Sequence, residues 1–129
     1  MGRTIGAVAA GVVLWGGLWN GGNASLAAAG LFVMGESVTS VPVLLVLVAY
    51  SAALSVLAGY VVAMIRGGDA MGAVQALAGV NLTIGIVVEV IYWGLMPAWY
   101  HMAFLALVVP MTLAGGRMRM RRRTEATEA

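Results

Sequence analysis

The sequence predicts an all-α membrane protein: four transmembrane helices in an antiparallel bundle, with the N-terminus and the C-terminus both cytoplasmic. Three observations carry this expectation. Of the 129 residues, 62% are hydrophobic and only 9% are charged, which is more apolar surface than a soluble fold of this size can cover. The apolar residues fall in runs of about 20, the length an α-helix needs to cross a hydrocarbon core of about 30 Å. Lipid leaves helices and closed barrels as the only spanning structures, and these runs lack the apolar/polar alternation of barrel strands. Finally, all seven basic residues satisfy a single assignment of sides under the rule that cytoplasmic loops carry the excess of arginine and lysine.

The chain has room for one domain, with residues 1–116 as the four-helix transmembrane domain and 117–129 as a basic, then polar, cytoplasmic tail. The first apolar stretch, Thr4 to Gly35, would reach about 48 Å as one helix and overshoot the hydrocarbon core. A break is expected at Asn20-Gly21-Gly22-Asn23, where two glycines lower helix propensity and two amides can satisfy freed backbone groups. The first span is therefore set at 4–24, with a possible extension to 34. A cleaved signal peptide is the competing reading of Arg3 followed by an apolar run.

Gly35-Glu36-Ser37-Val38-Thr39-Ser40 reads as a loop, and Pro42 fits the first turn of a second span over 42–65. Arg66-Gly67-Gly68-Asp69 makes a turn, with Asp69 as the N-cap of a third span over 70–93. Gly94-Leu95-Met96-Pro97 breaks that helix, and the fourth span covers 98–115 with Pro110 expected to kink it or mark an irregular end. The tail is expected to be irregular in water or to lie on headgroups.

With Arg3, Arg66 and the tail inside, Glu36 and the Pro97 loop fall outside, where Tyr92, Trp93, Trp99 and Tyr100 form an aromatic belt at headgroup level. A sequence pI near 9.5 does not point to nucleic acid, because most of the positive charge sits in Arg117, Arg119, Arg121, Arg122 and Arg123 beside a span. Anionic lipid headgroups are the expected partner there. Small residues four apart (Gly6 with Ala10, Gly17 with Gly21, Ser51 with Ser55, Gly72 with Ala76) predict close helix packing within the bundle or against other membrane subunits or further copies of the chain.

Nearly every polar residue other than the arginines maps to the outer leaflet or the outer loops. Asn20 and Asn23 close the first span, Glu89 lies one turn before the end of the third, and His101 lies in the first turn of the fourth. The short loop between them makes Glu89 and His101 neighbours across a helix pair. A carboxylate in an apolar run is costly and tends to face the interior, pair or stay protonated. Glu89 is thus a helix-registering partner of His101 or of a nearby amide, a proton or cation site, or a group exposed to interfacial water, and an imidazole partner allows pH-dependent pairing without requiring it. Asn81, Gly85, Glu89 and Tyr92 fall along one helical face, a stripe that either lines a cavity or glues helices together. The nine methionines and four tryptophans read as lipid-facing or packing residues.

A single histidine excludes a multi-histidine metal centre, and the absence of cysteine excludes disulfides and thiolate sites. His101 offers at most one axial ligand to a haem or chlorin. No nucleophile elbow, His-Glu-x-x-His, phosphate-cradling glycine loop or close carboxylate pair is present, so neither an enzyme nor a cofactor is expected.

Pro97-Ala98-Trp99-Tyr100-His101-Met102-Ala103-Phe104-Leu105, leading to Pro110 and a basic tail, resembles the last third of small bacterial four-span membrane proteins of unknown function, a likeness that brings no activity with it; the expected location is the cytoplasmic (inner) membrane. Glu89 with Tyr92 and Trp93 is superficially similar to the small multidrug resistance transporters. In that family the glutamate belongs to the first helix, which here has none. The expectation is a non-enzymatic accessory or structural subunit of a membrane assembly. The alternatives are a small proton- or ion-coupled transporter or channel using Glu89, His101, Asn81, Tyr92, Asn20 and Asn23, and a pigment- or haem-associated subunit ligated by His101.

Overall fold

Each apolar run becomes one long helix, and the breaks fall where glycine and proline interrupt the runs. The computed structural model describes residues 1–128. It consists of α1 (Gly2–Ala28), α2 (Val41–Arg66), α3 (Met71–Ile91), a 3-10 turn at Trp93–Leu95, and α4 (Ala98–Glu128). All four α-helices are long and apolar enough to cross a membrane, so the protein is an integral membrane protein of the helical-bundle kind.

Three sequence expectations change. The helix does not break at Asn20–Asn23: α1 continues to Ala28. The polar residues there bond within the helix, Asn20 Nδ2 to the Gly16 carbonyl at 2.8 Å and Ser25 Oγ to the Gly21 carbonyl at 2.9 Å, so no freed backbone group is left to open it. Pro110 does not mark the end of the helix, because α4 runs through it to Glu128. The tail is helical as far as Glu128, because arginine, methionine, alanine and glutamate are good helix formers and the Thr124 and Thr127 hydroxyls bond carbonyls four residues back. Ala129 lies outside the described residues. At about 46 Å, α4 exceeds the hydrocarbon thickness, which carries its arginines past the apolar region.

The turn between α2 and α3 depends on Gly67 and Gly68, at φ +66° and +58°, a region that side chains disfavour. α3 begins one residue later than expected, at Met71, whose N–H donates to the Asp69 carboxylate at 3.3 Å. Arg3 donates to the Ile65 carbonyl at 3.0 Å and Arg66 to the Thr4 hydroxyl at 2.8 Å. Arg122 lies over the Tyr60 ring. One end of the bundle therefore gathers the chain start, the Arg66 turn and the arginine segment of α4.

Consecutive helices alternate in direction, yet the most extensive pairing is the parallel one between α2 and α4. Leu44 and Leu47 pack with Tyr100 at one end, and farther along both helices Gly59 and Gly115 each face the backbone of the opposite helix. A Cβ on Gly59 would strike the Thr112 carbonyl, and one on Gly115 the Val56 carbonyl. Backbone thus packs on backbone, the arrangement small residues permit in lipid. The expected small pairs fare unevenly: Ser51 and Ser55 are buried, whereas Gly6, Gly17, Gly21 and Gly72 face open space. α1 packs on α2 and α3 and reaches α4 through the Trp15 and Trp19 rings against Phe104.

Candidate functional site

The end of the bundle opposite the arginines is less tightly closed. α3 and α4 run antiparallel in a fixed register: Gly116 faces Val74, Gly85 faces Phe104 and Leu105, and Glu89 pairs with His101. Four-residue spacing turns Asn81, Gly85 and Glu89 inward, and all three are buried. Tyr92 stands at the end of this stripe and is 47% exposed.

Glu89 and His101 are in direct contact through Oε2 and Nδ1, with His101 fully buried and Glu89 5% exposed. His101 Nε2 lies 3.1 Å from the Trp93 carbonyl, and the Trp93 ring stacks on the imidazole at 4.6 Å. This geometry fixes a proton count. A carbonyl only accepts, so Nε2 carries a hydrogen and donates to Trp93; the Nδ1–Oε2 contact then requires one further proton, on either atom. The pair is neutral overall when that proton is present and carries one negative charge when it leaves. With both ring nitrogens engaged, no lone pair remains for an axial bond, so the residues do not fit a haem or chlorin.

Beside the pair lies a cavity of about 330 Å³. Trp15, Trp19, Phe32, Tyr92, Tyr100 and Phe104 supply aromatic walls, and Asn20, Asn23, Glu36 and Glu89 supply its polar groups. None of the arginines lines it. The segment after α1 forms one side: Val38 is buried, and its N–H donates to the Leu95 carbonyl at 2.8 Å. That bond ties the loop to the α3–α4 connection. Tyr50 donates to the Leu18 carbonyl at 2.5 Å and its ring stacks on Trp19, which fixes α1 against α2 along the cavity.

Of the residues singled out by sequence, Asn20, Asn23, Glu89 and Tyr92 share this cavity. His101 stands behind Glu89, and Asn81 is about two turns deeper than Glu89, outside the lining. The sequence reading missed the aromatic walls. Of the lipid-facing and packing readings of the tryptophans, Trp15 and Trp19 take the packing one: Trp15 is 3% exposed, its Nε1–H donates to Ser55 Oγ at 3.3 Å, and both rings pack against Phe104. Their four-residue spacing with Asn23 on one face of α1 was the available signal. Tyr100, expected in the aromatic belt, is 1% exposed and packs inward, while Trp93 and Trp99 remain at the surface. Comparison with protein-family models, curated proteins and solved structures returns no match.

Proposed function

We propose that this chain is a small proton-coupled membrane transporter whose working site is the Glu89–His101 pair at the cavity wall, and that the site takes a monovalent organic cation with an apolar body. The observation that supports this reading most is that Glu89 faces the aromatic cavity while sharing a proton with His101. Aromatic faces attract cations, and a desolvated carboxylate supplies the counter-charge. Loss of the shared proton gives the pair the single negative charge that a bound cation neutralises, so cation and proton exchange one for one. Under this reading the arginine end faces the cytoplasm of a bacterial inner membrane, and Arg117, Arg119, Arg121, Arg122 and Arg123 rest against anionic headgroups. The test is proton-coupled uptake of benzyltrimethylammonium into proteoliposomes. Glu89→Gln is expected to abolish coupling, and an unchanged rate in that variant refutes the proposed role.

A second reading, a non-enzymatic accessory or structural subunit, is favoured by the open small-residue face of α1 at Gly6, Gly17 and Gly21, where another membrane helix can approach closely. Purification in mild detergent tests it: a co-purifying membrane subunit supports it, and a lone monomer removes it.

A further inference from the structure

Asn81 is fully buried, and neither its amide nitrogen nor its amide oxygen has a hydrogen-bond partner among the described residues. An unpaired amide in a bundle interior is expensive, and a leucine would fill the same place without that cost. Its surroundings are not wholly apolar. Gly11 of α1 faces Leu77 of α3, and these helices run parallel, so Trp15 stands level with Asn81. Trp15 bonds Ser55. The α2–α4 register set by Val56 against Gly115 and Gly59 against Thr112 brings Thr112 to within about a turn of that level. Ser55 and Thr112 donate their hydroxyl protons to Ser51 and Val108 carbonyls of their own helices, at 2.9 and 2.7 Å, and keep oxygen lone pairs. Asn81 alone in this layer is left with both a donor and an acceptor to satisfy.

Only one kind of partner satisfies both: a small group that donates and accepts at once. Its route in is defined by Phe104. This ring lines the cavity and packs on Gly85, one turn above Asn81. It is held between Trp15 and Trp19, at 6.4 and 5.4 Å, and the adjoining cavity is the free space into which it can swing.

We propose that Asn81 is the inner hydrated position of the cavity site, binding a water molecule admitted past Phe104 and so extending the proton path from the Glu89–His101 pair toward the arginine end. This rests on the reading of the cavity as the working site. The Asn81–Gly85–Glu89 spacing then has a purpose that glue does not explain, because glue would give Asn81 a partner.

The chain contains no cysteine, so a single introduced thiol reports access without background. Asn81→Cys in the full-length protein, reconstituted in liposomes, is treated with the small cationic reagent methanethiosulfonate ethylammonium. Labelling is expected, with a rate raised about tenfold by adding Phe104→Ala, which removes the barrier to local opening. Leu77→Cys, also fully buried one turn deeper, should stay unlabelled in both backgrounds. Asn81→Cys as inert as Leu77→Cys even with Phe104→Ala overturns the proposal. Asn81→Leu guards against misfolding effects: it should leave Tm unchanged or raised while proton-coupled uptake falls about tenfold or more. A lowered Tm or unchanged uptake overturns the proposal instead. Labelling requires no bound benzyltrimethylammonium, so its failure is distinct from a failure of the organic-cation reading, which is scored by binding of that cation to the unmodified protein.

Discussion

The arginine end and the Pro97 end of this bundle are held together by opposite means. Toward the arginine end, α2 and α4 meet backbone to backbone at Gly59 and Gly115, arginines tie α1 to α2, and among the described residues no ionisable side chain is buried there. Toward the Pro97 end, the helices stand apart around an aromatic cavity, and the contact between α3 and α4 is a buried Glu89–His101 pair. Close packing leaves nothing to titrate or to bind. The looser end accepts the cost of a buried carboxylate and a void, costs that packing alone would remove.

Substitutions that sharpen this contrast fall in order of size. Gly115→Leu has no room against the Val56 carbonyl and should abolish the folded state; Gly115→Ala should cost about 3 kcal/mol. Both are read by SDS titration of the protein in mixed micelles. His101→Ala leaves Glu89 without its partner and should cost about 3 kcal/mol in the same titration, with His101→Ala in a Glu89→Gln background costing less because no unpaired carboxylate remains. Val38→Pro removes the donor to Leu95 and should cost only about 1 kcal/mol, while speeding ligand dissociation from the cavity as measured by competition. Gly17→Ala, where nothing lies within 4 Å, should stay within about 0.5 kcal/mol of the parent. A Gly17→Ala cost matching that of Gly115→Ala would erase the distinction between sealed and open glycines.

The sequence made one end much more legible than the other. Hydropathy located the four helices because lipid permits little else, although α4 runs to Glu128, well past the expected end at 115, and the spacing across a short loop brought Glu89 to His101. Sequence could not rank the glycines. Gly17–Gly21 and Gly59 look alike in the chain, and only the parallel α2–α4 register decides which of them meets a backbone. The cavity was equally hidden, since it arises where the loop after α1 bonds to Leu95, a contact between segments far apart in sequence. The expected break at Asn20–Asn23 failed because side-chain amides can cap their own helix as readily as they can open it. The tail followed its helix propensity once α4 had already been nucleated.

The central claim is that the cavity's cation and the pair's proton exclude one another. Calorimetric titration of the detergent-solubilised protein with benzyltrimethylammonium, in buffers of differing ionisation enthalpy, counts protons released per cation bound. One proton per cation is expected in the parent protein and none in Glu89→Gln. Binding with no proton release, or release that persists in Glu89→Gln, would contradict that claim.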